Sequence, residues 1–470
     1  MKKKEPIDLH AELAKRTFKK PNIIPYLIYY IVGRTPLLGA KYHPHFKRVN
    51  KLPKKGPAFI IWNHQSRRDH TFITTLAWPR KISIVAEYNS FFREHLHWPF
   101  KMMRIIPKKV FTNDMISMRA IHSVIKQGGI VAFSPEGTSS IFGDNQPIVP
   151  GTGRFLQAFG VPVYVVNMQG SYLTNNKICS DDRPGKVFAK LKLMYSSEDL
   201  KKKTPEEIEN EINLEFKHDD YKWNKEQHIR YKSKGRICTN LSDMLYKCPK
   251  CGTEFEMTSS GDHIECKYCG NGATMDDYYD FHPFNEECVI PETPTDWVHR
   301  ERLDIINEIR ENPNFSFKVH VKLGIIPKDH YIPKKDTSEV VGEGEYEINH
   351  SGVHFKGIKE GQPFSFDVDY KTVMTYPISV DLSVFSLFVD GEQYDFYPDY
   401  RCVGKIIMLT EEMHRLHINK FKNFPWFDYM YLASIGNVYQ KTKNSTKTYL
   451  DNTLVLLSSS VSPVVLWKLL

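Results

Sequence analysis

The sequence predicts an α/β domain built on a parallel sheet, followed by a small cysteine unit and a β-rich domain closed by one helix. Three observations carry this expectation. From Pro57 to about Tyr195, short apolar runs of β type alternate with segments of helical periodicity, as a parallel sheet with crossover helices requires. Four of the eight cysteines bunch at Cys248, Cys251, Cys266 and Cys269. Between Gly342 and Pro398, strand-like runs follow one another across turn signals such as Asp390-Gly391. With 470 residues, 41% of them hydrophobic, the chain can bury more than one core, which excludes a disordered tail or a small disulfide scaffold.

Residues 1–44 read as a basic, aromatic segment. Within residues 1–56, 14 Lys and Arg stand against three Asp and Glu, an excess larger than the formal net charge of +9 of the whole chain. Such a lobe predicts an anionic partner, lipid headgroups or nucleic acid. Ile23 to Val32 is apolar and flanked by Lys19, Lys20 and Arg34. At ~1.5 Å per residue it would cover about half of a ~30 Å hydrocarbon core, so it either lies in a membrane interface or packs as an ordinary helix. No run of 18 apolar residues occurs, and the Lys-rich start lacks a signal-peptide plan. The expected place is the cytoplasm, peripheral on the inner face of a membrane.

Residues 45–235 read as the α/β domain. Ala58 to Trp62 is a buried strand, and Ser66 to Ala77 a helix with Ser66 at its N-cap and Asp69 at its third position. Asp114 caps a helix with the apolar stripe Met115, Met118, Ile121 and Ile125, ending at Gly128 and Gly129. Ile130 to Phe133 is a strand, Gln157 to Gly160 ends a helix, and Val161 to Val166 is a third strand. Lys201 to Lys234 is charged and helical, a solvated connector. Residues 236–290 hold the cysteine unit, and 291–340 a helical connector with Trp297, Leu303, Ile306 and Ile309 on one face. Residues 341–418 form the β-rich domain, with strands Gly344 to Ile348, Gly352 to Phe355, Pro363 to Phe366, Ser379 to Val389 and Gln393 to Tyr397, closed by a helix from Val403 to His417. The tail 419–470 includes the apolar but Ser-interrupted Leu454 to Leu470, a weaker candidate for membrane contact.

Two constellations carry chemistry. In Asn63-His64-Gln65-Ser66-Arg67-Arg68-Asp69, His64 falls in the turn after a strand and Asp69 in the first helical turn, so the carboxylate can fold back onto the imidazole. A carboxylate holding one ring nitrogen leaves the other free to take a hydroxyl proton. The alternative makes Asp69 a capping residue and His64 a turn residue. Ser134-Pro135-Glu136-Gly137-Thr138 also follows a strand, and in a parallel sheet the carboxyl ends of strands line one crevice. There Glu136 can orient a polyol hydroxyl, while Gly137 and Thr138 can present backbone N–H groups to an oxyanion.

With the Val161-Pro162-Val163 strand, these motifs resemble the glycerolipid acyltransferases typified by 1-acylglycerol-3-phosphate (lysophosphatidic acid) acyltransferase, over roughly 45–200. The resemblance implies transfer of a fatty acyl group from acyl-CoA or acyl-carrier protein to a lysophospholipid hydroxyl. His64 would be the base, Asp69 its orienter, and Glu136, Gly137 and Thr138 part of the acceptor site. Where the family carries a phosphate-binding Arg and Lys, this chain has Ser139 and Pro150; Arg104, Lys108 and Lys109 lie where its second block carries a basic residue, and Arg154 is a further candidate. The resemblance makes lysophosphatidic acid (1-acylglycerol-3-phosphate) the leading acceptor, with another lysolipid as the alternative that Ser139 and Pro150 leave open. A membrane-lipid-binding scaffold that retains the fold without activity is the alternative from another class.

Cys248-Pro249-Lys250-Cys251-Gly252 and Cys266-Lys267-Tyr268-Cys269-Gly270 are two Cys-x-x-Cys knuckles, which supply four thiolates to a tetrahedral, structural Zn2+. Glu254, Glu256, Asp262 and Glu265 outweigh Lys250 and Lys267, so this zinc ribbon is not expected to bind nucleic acid. The strand succession closed by a helix resembles the pleckstrin-homology-like fold, with a scaffolding role as open as lipid binding.

Overall fold

The computed structural model describes residues 8–38 and 42–418, so Lys2 to Lys4, Lys41 and the tail 419–470, including Leu454 to Leu470, lie outside the described residues. A seven-stranded sheet forms the first body, from β1 (Tyr42–Arg48), β2 (Ala58–Trp62), β3 (Ile82–Glu87), β4 (Ile106–Lys108), β5 (Ile130–Phe133), β6 (Val163–Gln169) and β7 (Gly185–Tyr195). Its order is β1-β7-β6-β2-β5-β3-β4. The five strands from β6 to β4 run parallel, whereas β7 pairs antiparallel with β6 and carries β1 parallel to itself. All five residues of β2 are buried, because helices cover both faces of the sheet centre.

The helices correct the sequence reading at three places. The expected helix Ser66 to Ala77 begins only at Asp69; its N-cap is Arg68 without a side-chain bond, since Ser66 turns its hydroxyl onto Asp69. In Met115–Lys126, Asp114 does cap Ile116 and Ser117, but Met115 and Met118 are exposed. The buried face is Ser117, Ala120, Ile121, Val124 and Ile125, turned so that small Ser117 meets the Pro107 carbonyl of the edge strand. Lys201 to Lys234 is no solvated connector. Its helices Pro205–Phe216 and Asp220–Gln227 bury Ile208, Ile212, Phe216 and Tyr221, while the glutamates that dominate its composition lie on the other face.

A four-stranded antiparallel sheet follows, from β8 (Met257–Ser260), β9 (His263–Cys266), β10 (Gly272–Met275) and β11 (Phe281–Pro283), in the order β11-β10-β9-β8. The helix Pro294–Glu311 buries Trp297, Leu303, Ile306 and Ile309 as expected. The remainder of 291–340 is not helical: β12 (Ser316–Ile325) is a central strand of a six-stranded antiparallel sheet. Its partners are β13 (Glu339–Asn349), β14 (Gly352–Lys359), β15 (Gln362–Val368), β16 (Phe385–Val389) and β17 (Glu392–Pro398), in the order β15-β14-β13-β12-β17-β16. Strand β16 is the shorter, second half of the expected Ser379 to Val389.

The helix Val403–His417 packs along Pro294–Glu311, where buried Arg302 bridges Glu411 (2.7 Å) and Glu412 (2.8 Å). The β-rich part also grips the first body directly. Ile332 N–H donates to Phe92 O (2.8 Å), Lys177 Nζ to Ile378 O (3.1 Å) and Asp381 N–H to Lys177 O (2.7 Å).

Candidate active site

Strand β2 ends at Trp62, and Asn63 then pairs edgewise with β6: its Nδ2 donates to Met168 O (2.9 Å) and its Oδ1 accepts from Met168 N–H (2.8 Å). The side chain replaces ladder bonds that the backbone gives up as it turns, and the turn presents His64. Asp69, 1% exposed, closes that turn from the first residue of the next helix. Its Oδ2 lies 2.7 Å from His64 Nδ1 and accepts from Gln65 N–H (2.8 Å) and Ser66 N–H (3.1 Å). Its Oδ1 accepts from the hydroxyls of Ser66 (2.8 Å) and Ser171 (2.9 Å).

In the tautomer that donates Nδ1–H to this carboxylate, Nε2 carries the lone pair. The His64 side chain is 29% exposed against 1% for Asp69, which leaves the imidazole accessible to a ligand. A buried carboxylate beside a reachable ring is an arrangement able to accept a proton from a ligand.

The Glu136 loop follows β5, the neighbour of β2, and is stitched to the first loop by Ser140 N–H, which donates to His64 O (2.7 Å). Gly137 has φ +79°, and a Cβ there would sit 2.8 Å from the Phe111 ring, so both backbone and space demand glycine. Glu136 is 1% exposed, and neither carboxyl oxygen has a hydrogen-bond partner among the described residues. Burial pushes its pKa well above the usual carboxylate range; the backbone N–H groups of His64 and Gln146 face it and favour the ionised form, without reaching full hydrogen-bond geometry. Thr138 Oγ1 and Ser139 Oγ are likewise buried and unpartnered among the described residues.

The other expected substrate-binding residues do not converge on His64. Lys108 Nζ donates to the carbonyls of Lys109 and Thr112 (2.8 Å each). Lys109 Nζ donates to Gly391 O (2.5 Å), in the turn between β16 and β17, and lies over the rings of Tyr88 and Phe388. Arg104 precedes β4, level with the start of β3, and shares the field of Arg16 and Lys81 at the end of the sheet away from His64. Arg154 is exposed on the helix Thr152–Phe159. After Pro150, the start of that helix is filled by Glu209, whose Oε1 accepts from Gly151 N–H (2.8 Å) and Gly153 N–H (2.9 Å).

Ser171 escaped the sequence reading. It begins the short helix after β6, at the carboxyl end of a third parallel strand, and that position in the crevice was the signal for it. Glu87, at the end of β3, was missed too. Burial raises its pKa, and Lys177, Arg93 and His64 lie near enough to oppose that rise.

The four cysteine sulfurs lie within 4.8 Å of one another, with Cys248 Sγ to Cys269 Sγ at 3.6 Å and Cys251 Sγ to Cys266 Sγ at 3.8 Å. Tetrahedral Zn–S bonds of about 2.3 Å place sulfurs roughly 3.8 Å apart, so the residues fit that ion. In each knuckle the glycine N–H turns back to the first cysteine carbonyl, Gly252 to Cys248 and Gly270 to Cys266, both at 2.9 Å. The backbone N–H groups of Lys250 and Cys251 then face Cys248 Sγ, and those of Tyr268 and Cys269 face Cys266 Sγ.

Residues 43–169 match the model of the acyltransferase family, a span that holds His64, Asp69 and Glu136 to Thr138. A chloroplastic 1-acyl-sn-glycerol-3-phosphate acyltransferase of Brassica napus, BAT2, is 26% identical over 133 residues, 28% of this chain and 38% of that protein. The chain thus spans well under half the length of this curated relative. The crystal structure of the 1-acyl-sn-glycerophosphate (LPA) acyltransferase PlsC from Thermotoga maritima aligns at 21% identity with a TM-score of 0.32, covering 39% of this chain and 76% of that chain.

Proposed function

We propose that the protein is an O-acyltransferase that esterifies a lysophospholipid at a membrane surface, with acyl-CoA or acyl-carrier protein as donor. The observation that carries this reading is the His64–Asp69 pair, 2.7 Å apart, with the carboxylate buried and the ring half-buried, inside a segment that matches the acyltransferase family. His64 Nε2 takes the acceptor hydroxyl proton as its oxygen attacks the thioester carbonyl. The new C–O bond forms, the C–S bond breaks, and the proton passes to the departing thiolate. Thiolate leaves readily, so no covalent acyl-enzyme is needed. Glu136, Gly137 and Thr138 belong to the acceptor side. Lys108 and Lys109 are engaged by carbonyls and would have to exchange those bonds to meet a phosphate.

The helix Ile23–Leu38 supports membrane association. Ile23, Ile24, Leu27, Ile28, Ile31 and Val32 are exposed at i, i+1, i+4, i+5 spacing, beside exposed Lys19 and Lys20. Such an apolar stripe with a basic flank suits an anionic lipid interface, and Arg104 with Lys81 extends the basic flank. Among the described residues, no helix is long and apolar enough to cross a membrane. We assign the four cysteines to structural zinc, and read the β-rich domain as pleckstrin-homology-like from its antiparallel strands and closing helix.

Acyl transfer from labelled acyl-CoA and acyl-carrier protein to a panel of lysolipids tests the reading, with His64→Ala beside the wild type. Product that vanishes in the variant while vesicle binding persists is the expected result. No product on any acceptor, with vesicle binding intact, would establish the scaffold alternative.

A further inference from the structure

Trp98 stands 61% exposed on the helix His97–Met103, and nothing in the acyl-transfer chemistry uses it. That helix is fixed to the rest of the protein by one face. The His97 ring stacks on Tyr331 with centroids 4.0 Å apart, Phe100 meets Phe91 edge-on at 5.0 Å, and Met103 is buried. Trp98 and Lys101, three residues apart, are both exposed on the surface that these contacts leave open. Arg16 Nη2 donates to Lys101 O (2.7 Å), which ties the end of this helix to the chain just before Ile23–Leu38, and the two helices pack side by side.

The helix Ile23–Leu38 is in turn laid along Asp69–Ala77. Tyr26 Oη accepts from Ile82 N–H (3.3 Å) beyond the end of that helix, and Tyr29 Oη lies 2.5 Å from His70 Nδ1 at its start. A Cβ at Gly33 would sit 3.5 Å from Thr71 Cγ2. The exposed ridge of Ile24, Ile28, Ile31 and Val32 therefore runs from the basic corner of the body towards the turn that holds Asp69 and His64. Charge identifies what covers it. Residues 13–68 and 95–113 hold no Asp or Glu, and Lys81 shares the field of Lys20 and Arg104. Glu94, just outside, accepts from Lys334 N–H (3.0 Å). A second copy of this chain would bring like charges face to face, whereas anionic headgroups neutralise them.

We propose that Trp98 and Lys101 form a second lipid contact beside Ile23–Leu38, the indole entering the headgroup boundary of an anionic bilayer and the ammonium meeting its phosphates. This rests on the membrane-surface reading above and extends it from one helix to two. A body seated on one helix can roll about the axis of that helix. A contact beside it stops the roll and holds the His64 turn at a set height over the lipid.

The test uses the full chain with vesicles of equimolar phosphatidylcholine and phosphatidylglycerol, part of the phosphatidylcholine carrying brominated chains that quench indole fluorescence. The quenching lost on going from wild type to Trp98→Phe reports this side chain alone, and it should be substantial. In co-sedimentation, Trp98→Ala should weaken vesicle binding several-fold, and Lys101→Gln by about five-fold, with no effect of the latter on vesicles of phosphatidylcholine alone. Trp98→Ala should also slow acyl transfer to a vesicle-borne lysolipid while leaving transfer to a monomeric short-chain lysolipid within about two-fold. Melting curves confirm that each variant is folded. Equal quenching in wild type and Trp98→Phe on vesicles that both bind would overturn the second contact and leave the Ile23–Leu38 face standing. A dimer in solution that Trp98→Ala dissociates, without quenching by vesicles, would give the surface to a second copy and overturn it too. Absence of vesicle binding by the wild type would remove both contacts together.

Discussion

Ser171→Ala is the most informative single change at the dyad. Ser171 is fully buried, and its hydroxyl is one of two that hold Asp69 Oδ1, at 2.9 Å, while its neighbour Ser66 holds the same oxygen at 2.8 Å and lies 2.9 Å from Ser171 Oγ. A hydrogen bond to a charged group is worth about 1.5–3 kcal/mol. Part of that is recovered when Ser66 and the two amides on Oδ2 readjust, so we expect a loss of about 1.4 kcal/mol in the transition state, or about ten-fold in kcat. Because Ser171 is fully buried and out of a ligand's reach, KM should stay within about two-fold. Ser171→Thr keeps the hydroxyl and should recover most of the rate. The assay is steady-state acyl transfer on the best acceptor, with melting curves for all three proteins. A Ser171→Ala enzyme with wild-type kcat, or one whose loss falls wholly on KM, would refute the claim that this serine orients the Asp69 carboxylate.

Other outcomes follow from the same structure. Treatment with a chelator, or Cys251→Ser, should release one zinc per chain by elemental analysis and lower the melting temperature, because the four sulfurs tie the segment before β8 to the turn between β9 and β10. Ile24→Glu with Ile28→Glu should weaken binding to anionic vesicles by at least about ten-fold without a change in fold, since both side chains are exposed; unchanged co-sedimentation would remove the membrane face. His70 is half-buried beside Tyr29, and desolvation there lowers its pKa to about 4. Its folded value lies below its unfolded one, so the stabilising contribution is present above about pH 6.5 and is lost as pH falls from there towards 4. Melting temperature should drop over that window, and His70→Gln should flatten the drop.

What could be read from the sequence follows from what each segment buries. Ala58 to Trp62 and Ile130 to Phe133 are covered on both faces, so they are unbroken apolar runs and were legible with their boundaries. Strand β12 alternates exposed and buried residues, with Lys318, His320 and Lys322 on one side, and a helical connector was read in its place. Strand β1 is an edge strand with a polar sequence, which leaves no hydrophobic pattern to find. At the site, His64 and Asp69 were legible because they are five residues apart across one turn. Ser171, 102 residues from Asp69, reaches the site only through tertiary packing. The Met115 stripe shows the reverse error: apolar periodicity was present, but the small residues one position round the helix decided which face met the sheet.

The amide of Ser140 bonded to the carbonyl of His64 has a consequence for interpreting variants. A substitution that loosens the loop after β5, at Gly137 or Ser140, also releases the backbone that carries the imidazole. Under the role proposed for His64, its kinetic signature will therefore mimic loss of that residue, with acceptor binding and acyl transfer failing together. A mutational survey that assigns each residue to one of those tasks by its phenotype would place the loop residues in the wrong class. Only a probe bound without turnover can tell the two apart.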